Sequence, residues 1–191
     1  MRFVLASGSP RRKELLTAAG FEYEVRPADI DEKVDPSTPT EAVAEDLAKQ
    51  KAESVLKECP DAVVLGSDTI VVLDGKILGK PHGKQEAAAM LKALSGREHQ
   101  VYTGLCVYSK EKTLSLTSRT DVYFHELSDE LINAYVETGE PMDKAGAYGA
   151  QGLGSMLVER IDGDFFTVMG LPIAEAARML AKFGVVGALP V

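Results

Sequence analysis

The chain has 191 residues, 45% hydrophobic and 26% charged, enough for one domain, or one domain with two lobes, to bury a sizeable core. A formal net charge of -8 excludes a broad nucleic-acid-binding face but leaves room for a small anion held by local cations. The chain lacks an apolar run of membrane-spanning length, and its widely spaced cysteines, Cys59 and Cys106, suit free thiols in a reducing cytosol; a cytoplasmic protein without a membrane partner is expected.

Residues Arg2 to Ala6 predict a short apolar strand, followed by a turn at Ser7, Gly8 and Ser9 and by Pro10 at a first helical position. Arg11 and Arg12 then fall in the first helical turn, where the macrodipole disfavours a cation by roughly 0.3–1 kcal/mol. The same helix end offers N–H groups that suit phosphate, so the two guanidiniums point to a polyphosphate site rather than to chance surface arginines. Leu15, Leu16 and Ala19 supply the apolar stripe, and Gly20 ends the helix. Phe21 to Val25 alternates as a second strand. Residues 27–39 read as a loop in which Asp29, Asp31 and Glu32 suit either a hard divalent cation or plain solvent. Thr38, Pro39 and Glu41 spell a capping box for a helix reaching about Glu58, with Val43, Leu47 and Val55 on one face. Lys51 sits on or beside that face, where its ammonium either snorkels to solvent or meets a ligand.

Ala62 to Leu73 is a β-branched strand, and Asp74-Gly75 is a strong two-residue hairpin turn leading to Lys76–Leu78. That register pairs Leu73 with Lys76 and Val71 with Leu78; continued, it sets Thr69 opposite Lys80, one step from Asp68. Asp68 interrupts an apolar run, where a carboxylate is costly unless paired, metal-bound or at the mouth of a cleft. It is the candidate base, with a structural aspartate satisfied by backbone N–H groups as the alternative. Lys80 alone would read as an ordinary edge-strand lysine.

Gln85 to Leu94 predicts a helix closed by Ser95-Gly96, then His99 to Tyr108 and Leu114 to Phe124 two long strands, and Ser128 caps a helix through Glu137. Gly146 to Gly154 is a glycine-dense loop, neither a Walker A sequence nor a dinucleotide fingerprint. Within it, Gln151 is the one residue able to read both donor and acceptor groups of a base. A strand from Met156 to Ile161, a turn at Asp162-Gly163 and a helix from about Pro172 to Gly184 complete the chain. His82, His99 and His125 fit no triad or zinc spacing and read as ordinary polar or partly buried residues. Strands and helices alternating at both ends, with hairpins between, predict an α/β fold with a mixed sheet and antiparallel strands in a second lobe.

Taken in order, several runs resemble the Maf family of nucleotide pyrophosphatases. They are Ala6 to Leu16, Glu32, Lys51-Ala52, Gly66 to Val71, Gly79-Lys80-Pro81, Leu94 to Arg97 with His99, Val101 to Gly104, Asp143 to Gly149 with Gln151-Gly152, and Gly170-Leu171-Pro172. The resemblance spans nearly the whole chain. It implies an elongated, two-lobed α/β fold, a mixed, twisted sheet flanked by helices, with a cleft between the lobes. The implied reaction is hydrolysis of a nucleoside triphosphate between its α and β phosphates, with a divalent cation (Mg²⁺ or Mn²⁺), by a homodimer. On the family pattern Asp68 falls on the proton acceptor, and Arg11, Thr69 and Gln151 on positions tied to substrate choice. Ser9, Arg12, Glu32, Lys51 and Lys80 fall on the phosphate and metal environment, with Glu32, Asp68 or both holding the metal. Asp68-Thr69, Asp143 to Tyr148 and Gln151-Gly152 are similar to members acting on dTTP and UTP, and modified pyrimidine triphosphates suit the same pattern. Asp164-Phe165-Phe166-Thr167 departs from it, since many members have serine and asparagine around an aromatic there. The resemblance also allows a nucleotide-sensing regulator linked to cell division and septum formation. Asp68 together with the full set of cations argues for an enzyme, because binding alone needs no base.

Overall fold

The computed structural model describes residues 1–191. Its strands, β1 (Phe3–Leu5), β2 (Glu24–Val25), β3 (Val63–Leu73), β4 (Lys76–Leu78), β5 (Glu98–Tyr108), β6 (Thr113–Phe124) and β7 (Val158–Asp162), form one mixed seven-stranded sheet flanked by helices. The order is β2-β1-β3-β5-β6-β7, with β4 paired to β3. The chain divides into two compact units, the first of residues 1–68, 103–118 and 170–191, the second of residues 69–102 and 119–169. Strands β3 (Val63–Leu73), β5 (Glu98–Tyr108) and β6 (Thr113–Phe124) each contribute residues to both. The mixed α/β architecture agrees with the expectation from the sequence.

In the first unit, β1 (Phe3–Leu5) lies between β2 (Glu24–Val25) and β3 and runs parallel to both. Helix α1 (Pro10–Ala18) follows β1, and Gly20 adopts the left-handed φ of +74° that ends it. The second strand is shorter than its alternation predicted. Phe21 is drawn out of it, buried against Phe3 with ring centroids 6.0 Å apart, so that only Glu24–Val25 pair with β1. Helix α2 (Thr40–Glu58) starts after Pro39, which occupies the N-cap, and the expected capping box does not form. Asp35 has taken the preceding turn instead, accepting from Ser37 N and Oγ while its carbonyl accepts from Thr38 N.

Two glycines decide how closely α2 can lie on the sheet. A Cβ on Gly66 of β3 would sit 2.2 Å from the Ala48 carbonyl oxygen and 2.9 Å from Ala52 N. A Cβ on Gly104 of β5 would sit 2.2 Å from the Ala44 carbonyl. Bare backbone on the strands therefore faces alanines on the helix, and Ala44, Ala48 and Ala52 are fully buried. This close seating brings Lys51, between Ala48 and Ala52, down to the stretch of β3 that carries Asp68.

In the second unit, β3 turns back at Asp74 (φ 51°) and Gly75 (φ 75°), both left-handed as a two-residue hairpin demands. Strand β4 (Lys76–Leu78) pairs Leu73 with Lys76 and Val71 with Leu78, the register read from the sequence. The ladder ends there. The Gly79 carbonyl instead accepts from Gly146 N at 3.0 Å, so the continued Thr69–Lys80 pairing is not made. Helix α3 (Lys84–Leu94) packs against α4 (Asp129–Glu137), whose N-cap Ser128 Oγ accepts from Leu131 N at 3.1 Å. Strand β7 (Val158–Asp162) is antiparallel to β6. The departing segment near the end forms helix α5 (Phe165–Met169), where Asp164 accepts from Phe166 N and the Thr167 hydroxyl. Helix α6 (Ile173–Ala181) returns to the first unit.

His99 differs from its sequence reading. It is in phase with Val101 and Thr103 on the inward side of β5 and is fully buried. Its Nε2 meets the Tyr148 hydroxyl at 2.7 Å, its ring packs edge-on to Phe124 and Tyr148, and its Nδ1 has no partner. Protonation would bury an unpartnered cationic N–H, and burial accordingly lowers its pKa from 6.5 to about 4. Between those values the unfolded chain binds a proton that the folded chain refuses. The stabilisation is therefore complete above about pH 6.5 and is lost as pH falls toward 4, by about 3 kcal/mol. Urea unfolding at the two ends of that window should show the loss in the natural chain and a flatter response in His99→Gln. An equal slope in both would assign the pH dependence to other groups.

Candidate active site

The turn between β1 and α1 is built from small residues around one buried hydroxyl. Ser7 Oγ accepts from Ser9 N at 3.3 Å and from Arg12 Nη1 at 3.0 Å. Arg12 Nε also donates to the Gly170 carbonyl at 2.8 Å, and buried Ser67 Oγ donates to the same oxygen at 3.0 Å. Gly170, at a φ of +100°, thus ties the α1 end, β3 and the approach to α6 together. Burial pushes the Arg12 guanidinium below its ordinary range; Asp68 opposes this, and Arg11 adds to it.

The two arginines read as a pair in the sequence therefore do different work. Arg12 is bound into the protein and fixes the N-terminal turn of α1. Arg11 is partly exposed and makes no ion pair with a protein carboxylate. Ser9 stands at the N-cap, but its hydroxyl does not cap the helix. Ser7, Ser67 and the Gly170 carbonyl were not singled out from the sequence; the only signal was their position inside the Ser7-Gly8-Ser9, Gly66-Ser67-Asp68 and Gly170-Leu171-Pro172 runs.

Asp68 ends the first unit's share of β3, its side chain only 14% exposed. Lys51 Nζ pairs with Asp68 Oδ1 and, at 2.8 Å, with Glu32 Oε1. The lysine does not snorkel to solvent: it joins two carboxylates from different segments at a single ammonium. Glu32 is half exposed, and its neighbours Asp29 and Asp31 are exposed and outside the pairing. One oxygen of Glu32 and one of Asp68 thus lie within hydrogen-bond reach of a common point. Two hard carboxylate oxygens suit Mg²⁺ or Mn²⁺, which keep waters and take further ligands from phosphate, so the donor set fits such an ion.

The remaining expected residues lie in the second unit. Thr69 follows Asp68 on β3 and is partly buried. Lys80 is exposed just beyond β4, and Gln151 is exposed between the 3₁₀ turns Ala145–Ala147 and Gly152–Leu157.

A family model described as Maf-like protein matches residues 2–183. A relative from Aquifex aeolicus, named dTTP/UTP pyrophosphatase, is 52% identical over 182 residues, covering 95% of each chain. Another of that name, from Bacillus pumilus, is 48% identical over 184 residues, covering 96% of this chain and 97% of its own. Among solved structures, the Ham1 protein of Staphylococcus aureus overlays with a TM-score of 0.51 at 17% identity, covering 83% of this chain and 80% of its own, a likeness of fold alone. With the motif residues seated as described and a match along almost its full length, the chain belongs to the Maf family.

Proposed function

We propose that this chain is a nucleoside triphosphate pyrophosphatase that hydrolyses dTTP and UTP, and modified pyrimidine triphosphates presenting the same base edge, to the monophosphate and pyrophosphate. The observation that carries this is the single ammonium of Lys51 shared by Asp68 and Glu32. The arginine-bearing N-terminus of α1 belongs to the same unit, and the names of the full-length relatives support the substrate class.

Asp68 takes a proton from the attacking water as its oxygen bonds to the α phosphorus and the bond to the leaving pyrophosphate breaks. Glu32 and Asp68 are the residues that would hold Mg²⁺ or Mn²⁺, which when bound supplies Lewis-acid polarisation of phosphoryl oxygens. Lys51 exchanges its carboxylate partners for phosphate as the substrate arrives, carrying positive charge to where the leaving group gathers negative charge. Arg11 and Lys80 add to that neutralisation, and Ser9 offers a hydroxyl to a phosphate oxygen. Arg12, bound to Gly170 and Ser7, keeps the N–H groups of α1 in place for phosphate. Gln151 pairs with the acceptor O4 and donor N3–H of uracil or thymine, and Thr69 and Arg11 contribute to the choice of substrate. We take the enzyme to work in the cytoplasm as a homodimer on a diffusible nucleotide, without a nucleic-acid or membrane partner; no helix is long and apolar enough to cross a membrane.

The test is pyrophosphate release from a panel of nucleoside triphosphates with Mg²⁺ or Mn²⁺. UTP and dTTP should be turned over in preference to CTP and the purine nucleotides. Thermal stabilisation by nucleotide without turnover of any panel member would instead identify a sensor.

A further inference from the structure

Glu140 is an acid that the mechanism does not use, yet it is among the most fully hydrogen-bonded carboxylates of the second unit. It opens the 3₁₀ turn Glu140–Asp143, directly behind Gly139 at a left-handed φ of 77°. Its Oε1 accepts from the Tyr135 hydroxyl at 2.9 Å and from Gly154 N at 3.0 Å, and its Oε2 accepts from Leu153 N at 3.1 Å. The buried Tyr135 hydroxyl in turn accepts from Gly149 N at 3.3 Å. One carboxylate thus holds the glycine-rich loop on both sides of Gln151, at Leu153 and Gly154 directly and at Gly149 through the phenol.

The loop's composition fits this arrangement. A Cβ on Gly154 would lie 2.2 Å from the Gly149 carbonyl and 2.6 Å from the Tyr135 hydroxyl, and one on Gly152 would lie 3.1 Å from Glu140 Oε2. Gly152 also holds a φ of +79°. Glycine at these two positions lets the loop close over the carboxylate and the phenol. Burial alone would raise the Glu140 carboxyl, but hydrogen bonds from Gly154 N, the Tyr135 hydroxyl and Leu153 N outweigh it and hold it below the usual range. The loop is thereby tied to a charged acceptor, the stronger kind of tether.

We infer that Glu140 is a positioning residue for substrate choice: through Tyr135 and the loop N–H groups it fixes the place of Gln151 against the base. This rests on Gln151 reading the base, as proposed above. Glu140 touches neither the substrate nor the reacting atoms. Its loss therefore alters discrimination among triphosphates more than the chemical step.

The experiment is kcat and KM for UTP and CTP in the natural chain, Glu140→Gln, Gln151→Ala and the double variant, with circular dichroism to verify folding. The carboxamide turns an NH₂ toward a backbone N–H and breaks at least one tie. The UTP-over-CTP ratio in kcat/KM should fall about tenfold in Glu140→Gln, chiefly through KM for UTP, as expected of a displaced binding group. Because the two residues act in series, the double variant should discriminate no worse than Gln151→Ala alone. A folded Glu140→Gln with an unchanged ratio, or with both substrates slowed equally, overturns the role of Glu140 while leaving the pyrophosphatase reading intact. A natural chain without any UTP-over-CTP preference overturns the role of Gln151 and that of Glu140 with it. Should Glu140→Gln not fold, Tyr135→Phe is decisive: it removes the phenol's two ties, keeps the ring, and should lower the ratio in the same direction; an unchanged ratio overturns the inference.

Discussion

Asp68→Asn should stop pyrophosphate release while leaving a folded chain. Asparagine keeps the outline of the side chain, and its carbonyl oxygen can still accept from the Lys51 ammonium that now pairs with Asp68 Oδ1. What it loses is the capacity to take a proton and the negative charge toward a cation. Loss of a general base alone lowers the rate by about 100- to 10,000-fold. The hydrogen bond surviving, stability should fall by only about 1 kcal/mol. Pyrophosphate release with UTP, read beside a denaturant unfolding curve, checks both halves. A folded variant within about tenfold of the natural rate would remove Asp68 from the role of base.

Lys51→Met should lose both stability and activity, and the two losses come apart in a double variant. The ammonium is 14% exposed and serves two carboxylates, so its removal takes away the one cation that pairs directly with both Asp68 and Glu32 and leaves only the field of Arg12. Stranding buried charge is costly, and the partial exposure of Glu32 tempers it to about 1–3 kcal/mol. The same change removes a cation from the phosphate path, about a hundredfold in rate. Adding Asp68→Asn to Lys51→Met removes one of the stranded charges and should return part of the stability, with no return of activity. Losses of stability that simply add in the double variant would mean that the ammonium and the Asp68 carboxylate are not energetically coupled.

Much of the fold follows from local chemistry legible in the sequence. Asp74-Gly75 fixed a two-residue hairpin and its register, because both turn residues must take positive φ and few pairs do so readily. The start of α4 was legible in Ser128, whose hydroxyl caps the first turn, and the end of α1 in Gly20, which takes the left-handed φ. The capping box at Thr38 failed where two local patterns competed for one turn: Asp35 engaged Ser37 and Thr38 before the helix began.

The candidate site was legible in part. Asp68 stood out as a carboxylate in an apolar run, and the arginines as cations at the wrong end of a helix. Their partners did not, because partnership is set by tertiary approach. Lys51 reaches Asp68 only because Gly66 and Gly104 let α2 settle onto the strands. Arg12 turned inward to a carbonyl 158 residues away, a contact no spacing rule encodes. Glu140 looked like any acid after a helix until its three donors were placed around it.

The most direct test of the central claim is hydrolysis of UTP in oxygen-isotope-labelled water, with the label traced in both products. Attack at the α phosphorus with Asp68 accepting the proton predicts UMP carrying the label, unlabelled pyrophosphate, and neither product in Asp68→Asn. Label in pyrophosphate, release of inorganic phosphate with UDP, or undiminished turnover in Asp68→Asn would contradict the chemistry assigned to this site.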